Sequence, residues 1–313
     1  MLEIFLKVVG KVLNRLHRKA IRGLTKLRPS RRYKSIRNEL YRVEALPRSK
    51  QFDTFLDGKI IRGVDTDAYV AMHREIFGSN IYQFQASSNT PYIIDCGANI
   101  GLSVIYFKSL YPAARVVAFE PDPDVFEVLD GNVRAFDLKD VVLLSKGAWT
   151  SNSIVQFIAD PVYGLGGHII PNRVSSRAIE VPVVRLRDFL GESIDLLKLD
   201  IEGVECEVIS DCADMLKNVN NIFIEYHSVV DRPQSLGQLL SILSDAGFRI
   251  HIHTVGAHSH KPFVRFETLP NGMDMQLNIF GIRTLEDSRG DVRFNSNWRS
   301  PAQAAQPLAV SDI

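Results

Sequence analysis

The chain has 313 residues, of which 45% are hydrophobic and 23% are charged, as is typical of a soluble globular protein. Its three cysteines (Cys96, Cys206 and Cys212) include no CxxC pair, which argues against a disulfide framework and favours a reducing compartment. The net charge of +1 hides an asymmetry, because residues 1–50 hold 15 Lys and Arg against three acids. The remainder is acidic, so this N-terminal segment is predicted to be a separate extension with its own partner.

The N-terminal extension, residues 1–50, is predicted to form a basic amphipathic helix followed by a linker or ragged helix at Arg28–Lys50. Apolar residues from Leu2 to Leu24 recur at helical spacing, and lysines and arginines occupy the other face. Lys7 and Lys11 interrupt the apolar run too early for a membrane span of about 20 residues, and no signal-peptide cleavage site follows. The helix therefore either lies on an anionic membrane surface or docks on the body or on a second subunit. Nucleic acid is disfavoured because the body is acidic. We predict a cytoplasmic protein, peripheral to the inner face of the membrane if the first role holds.

The body, residues 51–284, is predicted to be a single α/β domain. After a short helix at Asp67–Phe77, strands and helices alternate, which indicates a doubly wound, mostly parallel sheet covered on both faces. The predicted strands are Tyr92–Asp95, Arg115–Glu120, Val141–Ser145, Asp195–Asp200, Asn221–His227, Arg249–His253 and Met275–Ile282. The predicted helices are Ile100–Leu110, Asp124–Phe136, Val204–Leu216 and Leu236–Ala246.

Two segments depart from this alternation. Residues 151–185 are predicted to form an inserted hairpin or flap, with strands at Ile154–Ile158 and Ala178–Val184. Its glycine-rich loop, Gly164–His168, is a candidate lid over the site. Residues 285–313 are polar and are predicted to be a frayed tail.

The segment IIDCGANIG, residues 93–101, is the first site motif. A buried strand ends at Asp95, and Gly97 and Gly101 allow the backbone to approach a ligand closely. Asn99 is predicted to be the N-cap of the following helix, whose N-terminus suits an anionic group. The turn lacks the G-x-G-x-x-G fingerprint of a nicotinamide-dependent oxidoreductase. That class is therefore disfavoured and is kept only as an alternative.

Glu120 ends the next predicted strand, about 25 residues after Asp95. In a doubly wound sheet an acid at this position accepts hydrogen bonds from ribose hydroxyls. Together with the glycine turn, it predicts a nucleoside-type ligand.

Two further runs, LLKLDIEGVE and IFIEYH, place polar residues at the ends of later strands. Lys198, Asp200 and Glu202 are predicted to share a face, as are Glu225 and His227. Carboxylates beside a cationic ligand, or a histidine whose pKa lies near operating pH, can accept a proton. Helix capping and a structural histidine are the alternatives.

In this order, DCGANIG, AFEPDP, LKLDIEGVE and IEYH resemble the FkbM-like family of class I methyltransferases over roughly residues 82–283. The resemblance implies an S-adenosylmethionine-dependent O-methyltransferase acting on natural products, sugars or glycans. It implies a Rossmann-like seven-stranded, mostly parallel sheet with one antiparallel strand. The implied donor-binding residues are Asp95, Gly97, Asn99, Gly101 and Glu120, with Ala148, in the segment after the third strand, near the adenine. Cys96 stands where many relatives carry Val or Ile.

From these motifs we predict methyl transfer to an oxygen. Asp200, Glu202 or His227 is the proton acceptor, and Lys198 and Glu225 orient the acceptor molecule. The alternatives are an NAD(P)-dependent oxidoreductase and a non-catalytic cofactor-binding protein. His251, His253, His258 and His260 could suggest a metal site, but no local carboxylate or cysteine completes it, so no metal is predicted.

Overall fold

The computed structural model describes residues 31–48, 50–158, 168–169, 178–255, 261, 263–265, 267–268 and 272–283. The chain divides into two compact units, and the boundary along the sequence lies between Leu46 and Pro47. In its described residues the first unit has helix α1 (Arg31–Glu44), in the stretch predicted to be a linker or ragged helix. Within the described ranges, no helix has the length and apolar character needed to cross a membrane. The predicted amphipathic helix, most of the Gly164–His168 loop and the C-terminal tail lie outside the described residues.

The second unit is built on a seven-stranded sheet with the order β12-β13-β11-β10-β3-β4-β5. Strand β13 runs antiparallel to both of its neighbours, and the other pairings are parallel. The predicted doubly wound α/β fold with one antiparallel strand is therefore confirmed. The strands are β3 (Tyr92–Cys96), β4 (Arg115–Phe119), β5 (Val141–Leu144), β10 (Ile194–Leu199), β11 (Val219–Val229), β12 (Arg249–Val255) and β13 (Met273–Ile282).

Helices cover this sheet in the places that the sequence predicts. They are α2 (Thr66–His73), α3 (Leu102–Leu110), α4 (Pro123–Ala135), α5 (Glu205–Cys212) and α6 (Leu236–Asp245). Pro123 opens α4, and the Asp122 carboxylate caps it by accepting from the amides of Asp124 and Val125. Two predicted helices change type partway: α2 continues as a π-helical turn, Arg74–Gly78, and α5 as a 3-10 helix, Ala213–Asn218.

The two faces of the sheet differ in chemistry. Ile94, Leu197 and Ile224 point to one face and belong to the main apolar core. Because side chains alternate along a strand, their chain neighbours Asp95, Lys198 and Glu225 point to the other face. Paired registers continue this polar face across β11 and β13, so it forms a continuous surface at the carboxyl ends of the central strands.

Two smaller sheets accompany the main one. A hairpin of β1 (Phe52–Leu56) and β2 (Lys59–Gly63) precedes α2, and the sequence analysis missed it. The predicted flap contributes β7 (Ser153–Ile158), β8 (His168–Ile169) and β9 (Ala178–Arg185) to a four-stranded sheet with β6 (Gly147–Trp149). The predicted flap is therefore part of a second sheet and is more than an isolated hairpin.

Candidate active site

The turn after β3 is held by the protein itself. The amides of Gly97 and Ala98 both donate to the Phe119 carbonyl, at 3.0 Å and 2.9 Å. Gly97 adopts φ +84°, and a Cβ there would lie 1.9 Å from the backbone oxygen of Asp200. The glycine is therefore required by the neighbouring segment, independently of any ligand.

Asn99 is not the helix N-cap, and this prediction was wrong. Helix α3 begins at Leu102 with Gly101 as its cap residue at φ +90°. Asn99 lies in the left-handed region at φ +48°, where its side-chain oxygen accepts from the Ile100 amide at 2.8 Å. The helix therefore begins two residues later than predicted, at Leu102 instead of Ile100. The hydrogen bond between the Asn99 side chain and the backbone of the next residue stabilises the longer turn.

Asp95 is fully buried at the end of β3. One of its carboxylate oxygens accepts from the Ser103 hydroxyl at 2.5 Å, and the other lies 3.2 Å from Lys198 Nζ. Asp95 thus ties the first turn of α3 to strand β10.

Glu120 lies buried directly after β4, on the other side of the turn. Its two carboxylate oxygens accept one backbone hydrogen bond each, from the Asn99 and Asp122 amides, both at 2.9 Å. Burial raises the pKa of Glu120 to about 7, although the hydrogen bonds from Asp122 and Asn99 oppose this rise. Each oxygen retains a free lone pair that suits a hydroxyl donor.

Ala148 lies in β6, and its side chain is buried in the main apolar core with Phe119 and Cys96. Any contact with a ligand at this position would involve the backbone.

Lys198 connects the two halves of the site. Its buried ammonium donates to the Gly97 carbonyl at 2.8 Å and lies 3.2 Å from Asp95 and 3.4 Å from Asp200. Burial alone would lower the pKa of Lys198, but Asp95 and Asp200, among nearby groups, raise it well above its usual value. Lys198 therefore places a positive charge on β10 against the end of β3 and the turn that follows it.

Asp200 and Glu202 follow β10 in the turn before α5. Burial and the charge of Glu225 raise the pKa of Asp200 to about 7, against the opposing effect of Lys198. Glu202 adopts φ +61°, and burial raises its pKa well above the usual value. Asp200 is the more open of the two, with 24% of its side chain exposed.

His227 is enclosed by carboxylates. Its Nδ1 lies 3.0 Å from Glu205, and its Nε2 lies 3.6 Å from Glu202 and 3.5 Å from Glu225. Burial opposes a charge on the ring, but Glu202 and Glu205 raise the pKa of His227 well above its usual value. The predicted shared face of Glu225 and His227 is therefore confirmed, and the surrounding carboxyl groups favour the charged form of the imidazole.

Glu205 is a site residue that the sequence analysis did not single out. Its Oε1 also accepts from the amides of Gly203 at 2.9 Å and Ile201 at 3.3 Å, so it fixes the turn as well as the histidine. The available signal was its place in the same run, three residues after Glu202.

Three polar residues from distant parts of the chain complete the cluster. Asn278 donates to Glu75 at 2.9 Å, and Gln276 donates to Glu225. Burial and Glu225 raise the pKa of Glu75. No local pattern in the sequence indicated these contacts, because Glu75 and Asn278 lie 203 residues apart.

A metal ion could be held by Asp200, Glu202 and His227, each of which offers one ligand atom within 4.8 Å of the others. Within the part of the chain that the structure describes, His251 and His253 do not belong to such a set. His253 instead packs against Phe280 in a tilted arrangement, with ring centres 5.0 Å apart.

The strand order, the glycine turn and the acids after the first two strands of the alternation define the class of S-adenosylmethionine-dependent methyltransferases. The residues fit that donor: Glu120 retains acceptor capacity for ribose hydroxyls, and the carboxylates beyond Lys198 suit a cationic sulfonium.

Comparison with known proteins agrees with this class. Residues 95–250 match the methyltransferase FkbM domain. The methyltransferase sdnD of Sordaria araneosa is 30% identical over 215 residues, which cover 57% of this chain and 82% of sdnD. The 31-O-demethyl-FK506 methyltransferase FkbM of Streptomyces tacrolimicus is 24% identical and shares 62% of this chain and 87% of its own length. The hexuronic acid methyltransferase AglP of Haloferax volcanii is 32% identical over 47% of this chain and 60% of AglP.

The chain belongs to the FkbM methyltransferase family. The predicted resemblance and the predicted methyl donor, S-adenosylmethionine, are thereby confirmed. The oxidoreductase alternative is set aside.

Proposed function

We propose that the protein transfers the methyl group of S-adenosylmethionine to a hydroxyl oxygen of a sugar, a glycan or another natural product. The observation that carries this proposal is the position of Lys198, which lies 3.2 Å from Asp95 and 3.4 Å from Asp200. It joins the turn expected to bind the donor to the cluster expected to receive the acceptor.

On the donor side, we assign binding to the turn and the acid that follow β3 and β4. S-Adenosylmethionine supplies a methyl group already activated on a sulfonium. Glu120 would accept from the ribose hydroxyls, the backbone of the turn that contains Gly97, Asn99 and Gly101 would border the ligand, and the Ala148 backbone would lie near the adenine. Since Asp95 is fully buried, its part is to hold Ser103 and Lys198 in place.

On the acceptor side, we assign the proton transfer to Asp200. An alcohol is a poor nucleophile unless a base removes its proton as the new bond forms. Asp200 is half ionised near neutral pH, because its pKa lies at about 7, and it is the most exposed of the three predicted candidates. His227 has only 2% of its side chain exposed and faces carboxylates from both nitrogens.

We assign the other charged groups of the cluster to orienting Asp200 and the acceptor hydroxyl. His227 Nε2 lies 3.6 Å from the Glu202 carboxyl group, so each of these side chains positions the other. Lys198 and Glu225 would lie beside the acceptor hydroxyl. The names of two relatives support a sugar or another natural product as acceptor: AglP is a hexuronic acid methyltransferase, and the Streptomyces protein is a 31-O-demethyl-FK506 methyltransferase. We carry over only this broad class, and not the charge of the sugar.

The test is transfer of a labelled methyl group to extracted glycans, lipids and small alcohols. We expect Asp200→Asn to lower turnover by about 100-fold or more while calorimetry shows unchanged donor affinity. The wild-type rate should fall as the pH drops below about 7, because the base becomes protonated. Glu127→Gln, an exposed change on α4, is the control.

Two results would contradict the proposal. Donor binding without transfer to any hydroxyl acceptor would favour the non-catalytic alternative. Full turnover in Asp200→Asn would remove the assigned base and return the role to Glu202 or His227.

Peripheral contact with an anionic membrane through residues 1–50 remains a prediction from charge. Flotation with anionic vesicles of the full chain and of a chain lacking residues 1–50 tests it. Equal flotation of both would refute it.

A further inference from the structure

Four residues on the polar face form a wall beside the acceptor cluster, which we call the acidic wall: Glu75, Glu225, Gln276 and Asn278. In the pairing of β11 with β13, Asn278 lies opposite Glu225, and Gln276 lies opposite His227. Directly opposed residues point to the same side of a sheet. The π-helical turn after α2 adds Glu75, whose Oε1 accepts from Asn278.

The two amides of the wall direct their N–H groups at carboxylates. Asn278 donates to Glu75 at 2.9 Å, and Gln276 donates to Glu225. This fixes which end of each amide is the oxygen, because a reversed amide would set an oxygen against a carboxylate. The Asn278 carbonyl oxygen is then left buried and without a hydrogen-bond partner, on a residue only 2% exposed. Such an oxygen is costly unless a donor reaches it.

The charge around the wall is negative. Glu75, Asp200 and Glu202 lie close enough to Glu225 that burial, together with the charge of Glu225, raises the pKa of all three. Among the residues that the structure describes, Lys198 and His227 are the cations that contact this cluster. Lys198 already lies against Asp95, and His227 lies against Glu205. A ligand here meets hydrogen-bond acceptors and carboxyl groups that already repel one another, so an anionic ligand would add to that repulsion.

We infer that the acidic wall is an acceptor subsite that selects a neutral or amine-bearing polyhydroxylated ring and excludes acceptors bearing a carboxylate or phosphate. Hydroxyls donate to the Asn278 oxygen and to the Glu75 and Glu225 carboxylates, whereas an anion is repelled by them. The inference rests on the proposed function for the identity of the reaction, and it adds the class of acceptor.

The location of the wall fits a role in acceptor choice. Glu75, Gln276 and Asn278 lie outside residues 95–250, the part that matches the family model. π-Helical turns, such as the one that carries Glu75, occur frequently at functional sites.

The experiment compares three rings that differ in charge: methyl glucoside, glucosamine and glucuronate. Binding of each to the full chain is measured by saturation-transfer NMR with S-adenosylhomocysteine present, so that no turnover is needed. We expect glucosamine and methyl glucoside to bind at least about tenfold more tightly than glucuronate. Glu75→Gln keeps an oxygen that can accept from Asn278 but removes the carboxylate charge. It should reduce the ratio of the methyl glucoside affinity to the glucuronate affinity by about tenfold. Glu127→Gln should leave the ratio unchanged, and S-adenosylmethionine affinity should stay within twofold in both variants.

The outcomes separate the subsite from the reaction. Equal or tighter binding of glucuronate by the wild type, or no binding of any ring, overturns the subsite. An unchanged ratio in a folded Glu75→Gln variant also overturns it. The expected preference without methyl transfer to any hydroxyl supports the subsite and refutes the proposed function.

Discussion

The pKa of Glu120 makes a quantitative prediction about stability and donor binding. Its rise from 4.5 to about 7 means that the folded chain without donor retains a proton that the unfolded chain has already lost between these pH values. The folded state therefore binds more protons in this window, and the contribution of Glu120 to stability falls as the pH rises from about 4.5 to about 7. At 1.36 kcal/mol per pKa unit, the loss is roughly 3 kcal/mol.

The substitution Glu120→Gln removes this titration. Glutamine can accept from only one of the Asn99 and Asp122 amides, which costs about 1–3 kcal/mol at every pH. This cost does not depend on pH. The quantity that tests the reasoning is therefore how the difference in unfolding free energy between the wild type and the variant changes with pH. Urea unfolding at pH 5 and pH 8 should show the variant gaining roughly 3 kcal/mol relative to the wild type. Glu127→Gln is the control and should follow the wild type.

Donor binding should show the opposite preference. Ribose hydroxyls are held better by the ionised carboxylate, so S-adenosylmethionine affinity should rise as the pH increases through about 7, with release of a proton. Calorimetry in two buffers of different ionisation enthalpy measures that proton. Parallel stability curves for the wild type and Glu120→Gln, together with no proton release, would refute the reasoning.

Four further changes test the site. Gly97→Ala should destabilise the fold by at least about 3 kcal/mol in urea unfolding, because its Cβ would lie 1.9 Å from the Asp200 oxygen; wild-type stability would contradict this. Glu205→Gln should lower the pKa of His227, as followed by NMR, and reduce turnover by about tenfold or more at unchanged donor affinity; an unshifted titration would refute its positioning role. A chelator should leave turnover unchanged, because the His227 imidazolium is the positive partner of the carboxylates; loss of activity restored by Mg²⁺ would assign Asp200, Glu202 and His227 to a cation instead. Asp195→Ala should cost about 2–3 kcal/mol of unfolding free energy, because Asp195 accepts three hydrogen bonds from the segment entering β3; a loss below about 0.5 kcal/mol would refute that role.

The residues that we assign to the donor could be located from the sequence because they are local in the chain. The turn from Asp95 to Gly101 is one continuous segment, and Glu120 follows the next strand of a regular alternation. In a parallel sheet such strand ends meet at one edge. The physical reason for Gly97 was nevertheless incomplete, since the Asp200 backbone already excludes a side chain there.

The missed hairpin had a usable signal. Asp57 and Gly58 both have positive φ, as a two-residue type I′ turn requires. Asp-Gly between short apolar strands is a strong hairpin signal, so β1 and β2 could have been predicted from the sequence.

The acceptor half was predictable only where it is local. Lys198, Asp200 and Glu202 share one run, whereas the charge state of His227 depends on Glu205, which lies 22 residues away. Periodicity reports which face of a strand a residue occupies, but it does not report which partner the fold brings to that face. The antiparallel strand β13 brings Asn278 and Gln276 to this face by its register, and no spacing in the sequence encodes that pairing.

This difference has a physical origin in the chemistry of the two ligands. The donor is the same molecule throughout the family, and we assign its binding to one contiguous turn and Glu120. Recognition of an acceptor is a difference between competing molecules, and it requires groups that repel the wrong one as well as groups that bind the right one. Glu75 and Asn278 come from elements on either side of the family domain and converge near Glu225. If these residues select the acceptor as we infer, substitutions outside residues 95–250 would change the acceptor while Asp95, Glu120 and Lys198 keep their contacts.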